Sequence, residues 1–381
     1  MTSQLAAPSA ADRQRLTELA RTSHTLIRRH QDASGAYPAS PTFSAYRGYA
    51  WLRDGAFIAE GMSRWGDVAS VDAFHDWTAG TLAARADQVA ELVARAPEAP
   101  EQAQGLLLPT RFRFDGSDGD DDWWDFQTDG YGTWLWQLVT HTERHGGELA
   151  RWAAGIEVAV DFLGVTASWP CYDWWEEHAE HRHTSSLAAV VAGLRAVLRT
   201  GVLDGDRAAR AAAVARDCAD LIATRGTADG RLTKWLGSDA VDGSLPACVV
   251  PFGVVEVGSP VASATLAAVA EELLVDGGVH RFRADTYFGG GQWLLLSCLL
   301  GWNLAVAGEH DRAGALLRWV ADQADESGSL PEQVPDHLLH PERRQEWVDR
   351  WGPVADPLLW SHAMYLILAD ELGLLPEDRR A

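Results

Sequence analysis

The chain has few basic residues, few cysteines and no long apolar run, and each shortage excludes a class of protein. Only 32 Lys and Arg residues oppose 54 Asp and Glu residues, which gives a formal net charge of −22 over 381 residues. Nucleic-acid binding and docking on an anionic membrane both need a basic face, so we expect neither partner. No apolar run reaches the roughly 20 residues that span a bilayer.

The four cysteines are far apart in the chain and show no Cys-x-x-C spacing: Cys171, Cys218, Cys248 and Cys298. This pattern is typical of reduced thiols rather than of a disulfide framework. Residues 1–5 show no basic segment followed by an apolar one, which is the pattern of a secretory signal. The sequence therefore favours a cytoplasmic location.

Tryptophan is abundant instead, with 18 residues, and helical periodicity dominates. Apolar residues recur at helical spacing in twelve segments: 12–29, 54–65, 68–82, 85–95, 131–145, 148–164, 185–200, 206–224, 260–274, 290–308, 311–325 and 358–373. Segments that are apolar nearly all round, such as Leu187–Leu198, alternate with amphipathic ones, such as Arg207–Ala223. This alternation predicts an all-α protein with an inner and an outer ring of helices; a solenoid would show a fixed repeat length.

Strand signals are few, and no linker divides the chain. The segment Pro246–Val257 is rich in β-branched residues, but Pro251 interrupts it. Because no stretch rich in Gly, Ser or Pro separates two halves, residues 1–381 are predicted to form one domain. Three long loops are rich in Trp, Asp and Glu: 110–129, 168–184 and 328–359. Long loops in a compact domain are usually functional.

The loop 168–184 contains two adjacent carboxyl groups beside two indoles, in the order Trp174-Trp175-Glu176-Glu177. Burial against indole rings and the charge of a neighbouring carboxylate both favour the neutral form of one Glu, as a general acid requires. A solvated acidic loop with aromatic anchors is the alternative interpretation.

Three further segments contain residues suited to sugar chemistry. Glu332, after a proline in a Gly- and Ser-containing loop, is a candidate base, although most such glutamates are merely exposed. Arg53 and Asp54 offer donors and acceptors that hold vicinal hydroxyls from both sides; a helix cap with a salt-bridged Arg is the alternative. The segment Arg281–Trp293 repeats this pairing, and its glycines permit close approach of a ligand.

Motifs for metals and cofactors are absent or incomplete. The histidines and glutamate of residues 178–183 form no H-E-x-x-H motif, and so short a loop does not readily converge on one zinc ion. Residues 118–129 begin like a calcium loop, but Trp123 stands where Gly is required and Asp129 where Glu is usual. No Walker or Rossmann glycine motif is present. We therefore expect no metal and no cofactor, with a looser cation site at 118–129 as the alternative.

In their order along the chain, these clusters resemble the catalytic domain of the glucoamylase-like enzymes, glycoside hydrolase family 15. The resemblance extends over residues 44–373 in five blocks. It implies an (α/α)6 barrel, which agrees with the helix pattern. Bacterial members usually carry an N-terminal β-sandwich, for which this chain leaves no room.

The resemblance also implies a role for each block. Glu176 matches the general acid and Glu332 the general base. The implied substrate-binding residues are Trp51, Arg53, Asp54, Trp123, Gln127, Trp175, Glu177, Arg281, Asp285, Trp293 and Trp360. The family often places a tyrosine near the nucleophilic water, six residues before the first Arg. Arg47 occupies that position here, which leaves Tyr46 and Tyr49 as the candidates. The leaving group is expected at Trp123, Trp124, Glu177 and the loop 178–183.

The implied activity is inverting exo hydrolysis of a short α-glucoside, which releases β-glucose. We favour α-1,6-linked isomaltose or isomalto-oligosaccharides, because a cytoplasmic enzyme without accessory domains would meet short, imported substrates. An α-1,4-specific glucoamylase-like or a trehalase-like hydrolase is the first alternative. A non-catalytic carbohydrate-binding protein on the same barrel is the second. An epimerase is the third, and it would use four of the histidines: His178, His181, His183 and His362.

Overall fold

The computed structural model describes residues 9–97, 100–121, 123 and 126–380. Its helices are α1 (Ala10–His30), α2 (Leu52–Trp65), α3 (Val68–Ala83), α4 (Ala86–Arg95), α5 (Pro100–Ala103), α6 (Asp129–His145), α7 (Ala153–Thr166), α8 (Thr184–Thr200), α9 (Gly205–Arg225), α10 (Pro260–Glu272), α11 (Leu294–Val306), α12 (His310–Asp322), α13 (Pro341–Trp351) and α14 (Leu359–Glu371). Among the described residues, no helix has both the length and the apolarity needed to cross a membrane.

Six segments close an inner ring. Helix α2 packs against α6, α6 against α8, α11 against α14, and α14 against α2. Between α8 and α11, the ring is completed by the short 3₁₀ helix Leu245–Cys248, which contacts both. Around this ring lie α1, α3, α7, α9, α10 and α12, each packed against at least one inner segment or its neighbour in the outer ring. This double ring is the predicted (α/α)6 barrel.

The residue pattern explains which helices lie inside. Helix α11 is buried along its whole length except at Val306, as an apolar helix requires. Helix α9 buries only four residues, Ala211, Ala215, Cys218 and Ile222, whose spacing of four, three and four marks one helix face. The other residues of α9 are partly or fully exposed, so α9 belongs to the outer ring.

The twelve predicted helices are all present, but the inner-ring 3₁₀ helix Leu245–Cys248 was not among them. The segment predicted at 85–95 is α4, which packs against the outer helix α7 rather than joining the inner ring. The β-rich segment Pro246–Val257, which Pro251 interrupts, forms no strand: it overlaps the inner-ring 3₁₀ helix Leu245–Cys248 and continues in turns. Pro251 lacks the N–H that a longer helix would need at that position.

Short strands pair with one another in the loops between the predicted helices. Strand β1 (Tyr49–Trp51) pairs with β2 (Arg111–Arg113), and β3 (Thr227–Ala228) pairs with β4 (Arg231–Leu232). A four-stranded antiparallel sheet has the order β5 (Leu274–Val275), β6 (Gly278–His280), β7 (Gln292–Trp293) and β8 (Gln333–Val334). The pairing of Trp293 with Gln333 brings the segment Arg281–Trp293 beside Glu332.

The close approach of α6 and α8 depends on glycine. A Cβ on Gly193 would lie 2.3 Å from the carbonyl oxygen of Gly132, which is backbone and cannot move aside. We expect Gly193→Ala to lower the free energy of unfolding by about 1–3 kcal/mol, as overpacked sites do. The matched change Gly164→Ala, on an exposed position of α7 with nothing within 4 Å, should raise it by about 0.5–1 kcal/mol.

Urea unfolding followed by circular dichroism measures both changes. Equal stability of the Gly193 variant and the parent chain would contradict the close helix contact.

Candidate active site

A cavity of about 580 Å³ collects most of the predicted site residues. This volume is within the range of small-molecule sites, about 300–1,000 Å³. The predicted residues that line it are Tyr46, Trp51, Arg53, Asp54, Trp123, Trp175, Glu176, Glu177, Arg281, Trp293, Glu332 and Trp360. Blocks that are far apart in the sequence therefore meet in one place.

A tight turn presents Glu176 to the cavity. The backbone N–H of Glu176 donates to the carbonyl oxygen of Asp173 at 3.0 Å, and Glu176 has a φ of 62°. The carboxylate of Asp173 accepts from the backbone N–H groups of Trp175 and Glu177, each at 2.9 Å. A residue other than glycine in this left-handed conformation needs such support from its surroundings.

A buried charge network lies behind this turn. The ammonium of Lys234 donates to Asp173 at 2.8 Å and to Asp242 at 2.5 Å. Asp242 also accepts from the indole N–H of Trp175 at 3.0 Å. Lys234 therefore links the turn that contains Glu176 to the ring beside it. Lys234 and Asp242 were not among the predicted site residues, because each is distant in the chain from the cluster it supports.

Glu176 is half-buried in the cavity wall, and desolvation by the surrounding protein raises its pKa to about 7. Three side chains donate to its carboxyl oxygens: the indole of Trp51 at 2.5 Å, the indole of Trp123 at 3.0 Å and the amide of Gln127 at 3.2 Å. These donors favour the ionised form, but desolvation has the larger effect. The group therefore keeps its proton to a higher pH than an exposed Glu does.

Glu332 lies on the same cavity, and burial raises its pKa to about 7 as well. The hydroxyl of Tyr46 donates to its carboxyl at 3.0 Å and lies 3.0 Å from the hydroxyl of Tyr287. Tyr49, the other candidate, donates to Asp121 instead, at 3.2 Å, and does not line the cavity. Tyr46 is thus the tyrosine beside the candidate base.

Tyr287 was not assigned a role from the sequence, although it lies within the segment Arg281–Trp293. The signal was its place two residues after Asp285, whose carboxylate accepts from the backbone N–H of Tyr287 at 2.9 Å. The spacing alone does not show that the two tyrosine hydroxyls meet.

Two predicted residues, Gln127 and Asp285, stand behind the cavity wall and fix its arginines. Arg53 donates to Gln127 at 2.6 Å and to Asp129 at 2.9 Å. Arg281 donates to Asp285 at 2.8 Å. Because a buried guanidinium needs its charge compensated, these partners hold both arginines in fixed orientations.

The buried end of the cavity combines a donor, an acceptor and an aromatic ring. Arg53 and Asp54 are only 3% and 7% exposed, and burial raises the pKa of Asp54 to about 6. The guanidinium of Arg53 lies 5.5 Å from the ring centroid of Trp360. Such a group of side chains suits a hydroxyl-rich ring with apolar faces.

The cavity is more open beside Glu177. The side chain of Glu177 is 35% exposed and accepts from Arg281 at 2.9 Å. No residue of the loop 178–183 lines the cavity; His181 stacks instead on Trp235, with ring centroids 4.3 Å apart. Trp124, also expected here, lies outside the described residues.

The histidines do not form a second chemical centre in the cavity. His362 is buried, accepts from the backbone N–H of Leu330 at 3.0 Å and lies 2.9 Å from the hydroxyl of Ser23. Burial lowers its pKa to about 3, so His362 is a neutral core residue. Over the described parts of the chain, no three His, Cys, Asp or Glu side chains are grouped to hold a metal.

Comparisons with known proteins agree on one family. The family model for glycosyl hydrolases family 15 matches residues 13–348. Isomaltose glucohydrolase of Kribbella flavida is 64% identical over 365 residues, which are 95% of this chain and 94% of that protein. An uncharacterized glycosyl hydrolase of Methanocaldococcus jannaschii is 24% identical, and the match covers 89% of this chain and 53% of that protein.

Solved structures agree with this result. A wild-type glycosidase that is 62% identical has a TM-score of 0.95 and covers 97% of this chain and 100% of its own. A variant of that glycosidase has been solved in complex with glucose. A bacterial glucoamylase complexed with acarbose is 19% identical, has a TM-score of 0.74 and covers 95% of this chain and 57% of its own. At that identity the likeness shows the fold alone.

The hydroxyl of Tyr46 lowers the pKa of Glu332 against the effect of burial. Tyr46→Phe removes this donor, so the pKa of Glu332 should rise. A general base works only when it is ionised, so if Glu332 is that base, the acidic limb of the profile of kcat/KM against pH should move to higher pH. We also expect kcat to fall about tenfold or more, since a hydrogen bond to a charged group is lost.

Tyr49→Phe is the matched control and should leave both limbs in place. An unchanged acidic limb in the Tyr46 variant would contradict the pairing of Tyr46 with Glu332.

Lys234→Met leaves two buried carboxylates without their shared cation. We expect the free energy of unfolding to fall by about 3–5 kcal/mol, as for other broken buried pairs. The turn at Glu176 should also lose its support, and the unpaired carboxylates should favour the protonated form of Glu176. If Glu176 is the general acid, the alkaline limb of the pH profile should move to higher pH. Thermal unfolding and pH-dependent kinetics measure the two effects.

Adding Asp173→Asn to the Lys234 variant removes one unpaired charge but keeps an acceptor for the turn. This double variant should recover part of the lost stability. A Lys234 variant with the parent's stability and pH profile would show that the network supports neither the fold nor the acid.

Proposed function

Because the chain belongs to glycosyl hydrolases family 15, we propose that it hydrolyses isomaltose by inversion, with Glu176 as general acid and Glu332 as general base. The chain is a glycoside hydrolase. The observation that supports the assignment of roles is that both carboxyl groups line one cavity, each desolvated and with a raised pKa. Perturbed pairs of this kind are typical of acid–base sites.

The terminal glucosyl unit occupies the buried end of the cavity. Arg53 and Asp54 bind its hydroxyls there, and Arg281, at the start of the segment Arg281–Trp293, binds it as well. An epimer with a hydroxyl in the wrong position would leave these buried side chains without hydrogen-bond partners, which is costly. A closed end that accepts one sugar unit implies exo action, with glucose as the product.

Glu176 donates its proton to the glycosidic oxygen as the bond to the leaving group breaks. Its raised pKa keeps the proton on the group until the leaving oxygen needs it. The turn at Asp173 and the donors Trp51 and Trp123 hold the carboxyl in place.

Ionised Glu332 takes a proton from the attacking water on the opposite face of the sugar ring. The Tyr46 hydroxyl, which binds Glu332, orients this water together with the carboxylate. Attack from the face opposite the leaving group gives β-glucose. Room for the water requires the two carboxyl groups to lie about 6.5–9.5 Å apart, whereas a retaining pair lies about 5–5.5 Å apart.

An α-1,6-linked substrate is supported by the 64% identity to isomaltose glucohydrolase over nearly the whole chain. Hydrolysis of α-1,4 glucosides or of trehalose stays the alternative. We also propose that the chain acts as a single domain in the cytoplasm. The four cysteines are buried and unpaired, as in proteins of reducing compartments.

Glu176→Gln and Glu332→Gln test the assignment of roles. Each should lower kcat on isomaltose by orders of magnitude, because it removes a group that acts in the transition state. The fold should be retained, as judged by thermal unfolding. Proton NMR of the first product should show β-glucose before mutarotation.

Glu180→Gln is the matched control, since Glu180 is exposed in the same loop; it should retain the parent's activity. Near-normal turnover in both site variants, or α-glucose as the first product, would contradict the mechanism. Rates on isomaltose, maltose and trehalose decide the linkage, and a higher kcat/KM on maltose or trehalose would contradict the proposed substrate.

A further inference from the structure

Helix α13 lies within the predicted long loop 328–359 and forms part of the cavity wall. It contributes Arg343, Glu346, Trp347, Arg350 and Trp351 to the lining. Residues three and four apart on a helix are neighbours, so these five share one face. The proposed function gives none of them a role.

The exposure of the lining residues distinguishes a buried end from a mouth. Arg53 and Asp54 are 3% and 7% exposed. The side chains of Arg343 and Glu346 are 57% and 77% exposed. If the terminal glucosyl unit occupies the buried end, as the proposed function requires, the rest of the substrate extends toward the mouth and therefore toward α13.

One aromatic anchor fixes α13 in place. Trp347 is the buried residue of the helix, and its ring stacks on Phe43 with centroids 5.8 Å apart. It also meets the ring of Tyr287 edge to face at 5.1 Å. Because Tyr287 contacts Tyr46, the helix has a defined position relative to Glu332.

The mouth-facing side chains of α13 carry groups that bind sugars. The guanidinium of Arg343 lies 3.5 Å from the carboxylate of Glu346, and that of Arg350 lies 4.9 Å from the ring centroid of Trp351. Paired guanidinium and carboxylate groups bind vicinal hydroxyls, and an indole packs on the C–H face of a pyranose. We name Arg343, Glu346, Arg350 and Trp351 the α13 face.

We propose that the α13 face binds the leaving-group glucose of the substrate and so contributes to the choice of leaving group. This assignment rests on the proposed function, because it takes the terminal glucosyl unit to lie at the buried end. The α13 face adds a contact surface on the side of the cavity where Trp347 meets Tyr287. It is additional to Glu177 and Trp123, which the sequence predicted as contacts of the leaving group.

Two substrates that share the terminal glucosyl unit test the proposal. Isomaltose has a glucose leaving group, whereas α-glucosyl fluoride has only a fluoride. In the combined variant Arg343→Ala, Glu346→Ala and Arg350→Ala, kcat/KM for isomaltose should fall about tenfold, chiefly through a higher KM, since hydrogen bonds to charged groups are lost. For α-glucosyl fluoride, kcat/KM should stay within about twofold of the parent value.

Asp349→Ala, on the same helix but outside the cavity lining, is the matched control and should change neither substrate. An equal fall for both substrates would overturn the proposal, because the helix would then act through Tyr287 and the base. No change, or faster hydrolysis of isomaltose, would overturn it too. A parent protein that cleaves the fluoride but not isomaltose would overturn the proposed substrate itself, before any variant is compared.

Discussion

The removal of two carboxyl groups from water is the constraint on which the site depends. Burial raises the pKa of both Glu176 and Glu332 to about 7, although each accepts hydrogen bonds that favour its charge. The proposed inverting mechanism needs one of these groups protonated and the other ionised. The two groups have different hydrogen-bond partners: indoles surround Glu176, and the hydroxyls of Tyr46 and Tyr287 adjoin Glu332.

The barrel offsets the cost of this desolvation by holding the surrounding charges in fixed pairs. Arg53 and Arg281 are buried with Asp129 and Asp285, and Lys234 is buried between two aspartates. A buried charge that loses its partner is strongly destabilising, so each pair restricts the backbone segment that carries it. The left-handed turn at Glu176 is one such segment. Electrostatic compensation and catalytic geometry are therefore provided by the same contacts.

The sequence predicted those parts of the fold whose apolar residues repeat at helical spacing. The twelve predicted helices are present for that reason, and Glu176 and Glu332 stood out because they lie among unusual residues. The inner-ring segment at 245–248 and the strands of two or three residues carry too little periodicity to be recognised. The choice of Tyr46 over Tyr49 depends on a series of turns before β1, where spacing does not fix side-chain direction.

Helix α13 escaped prediction for a different reason, which bears on its role. Its sequence is strongly polar and buries one residue, Trp347, so it shows no apolar stripe. Helices of this length gain most of their stability from tertiary packing. Trp347 supplies that packing by contacting Phe43 and Tyr287, the aromatic neighbours of the tyrosine that binds Glu332. The helix at the mouth and Glu332 inside the cavity thus share one aromatic cluster, and a change in that cluster should alter the packing of both.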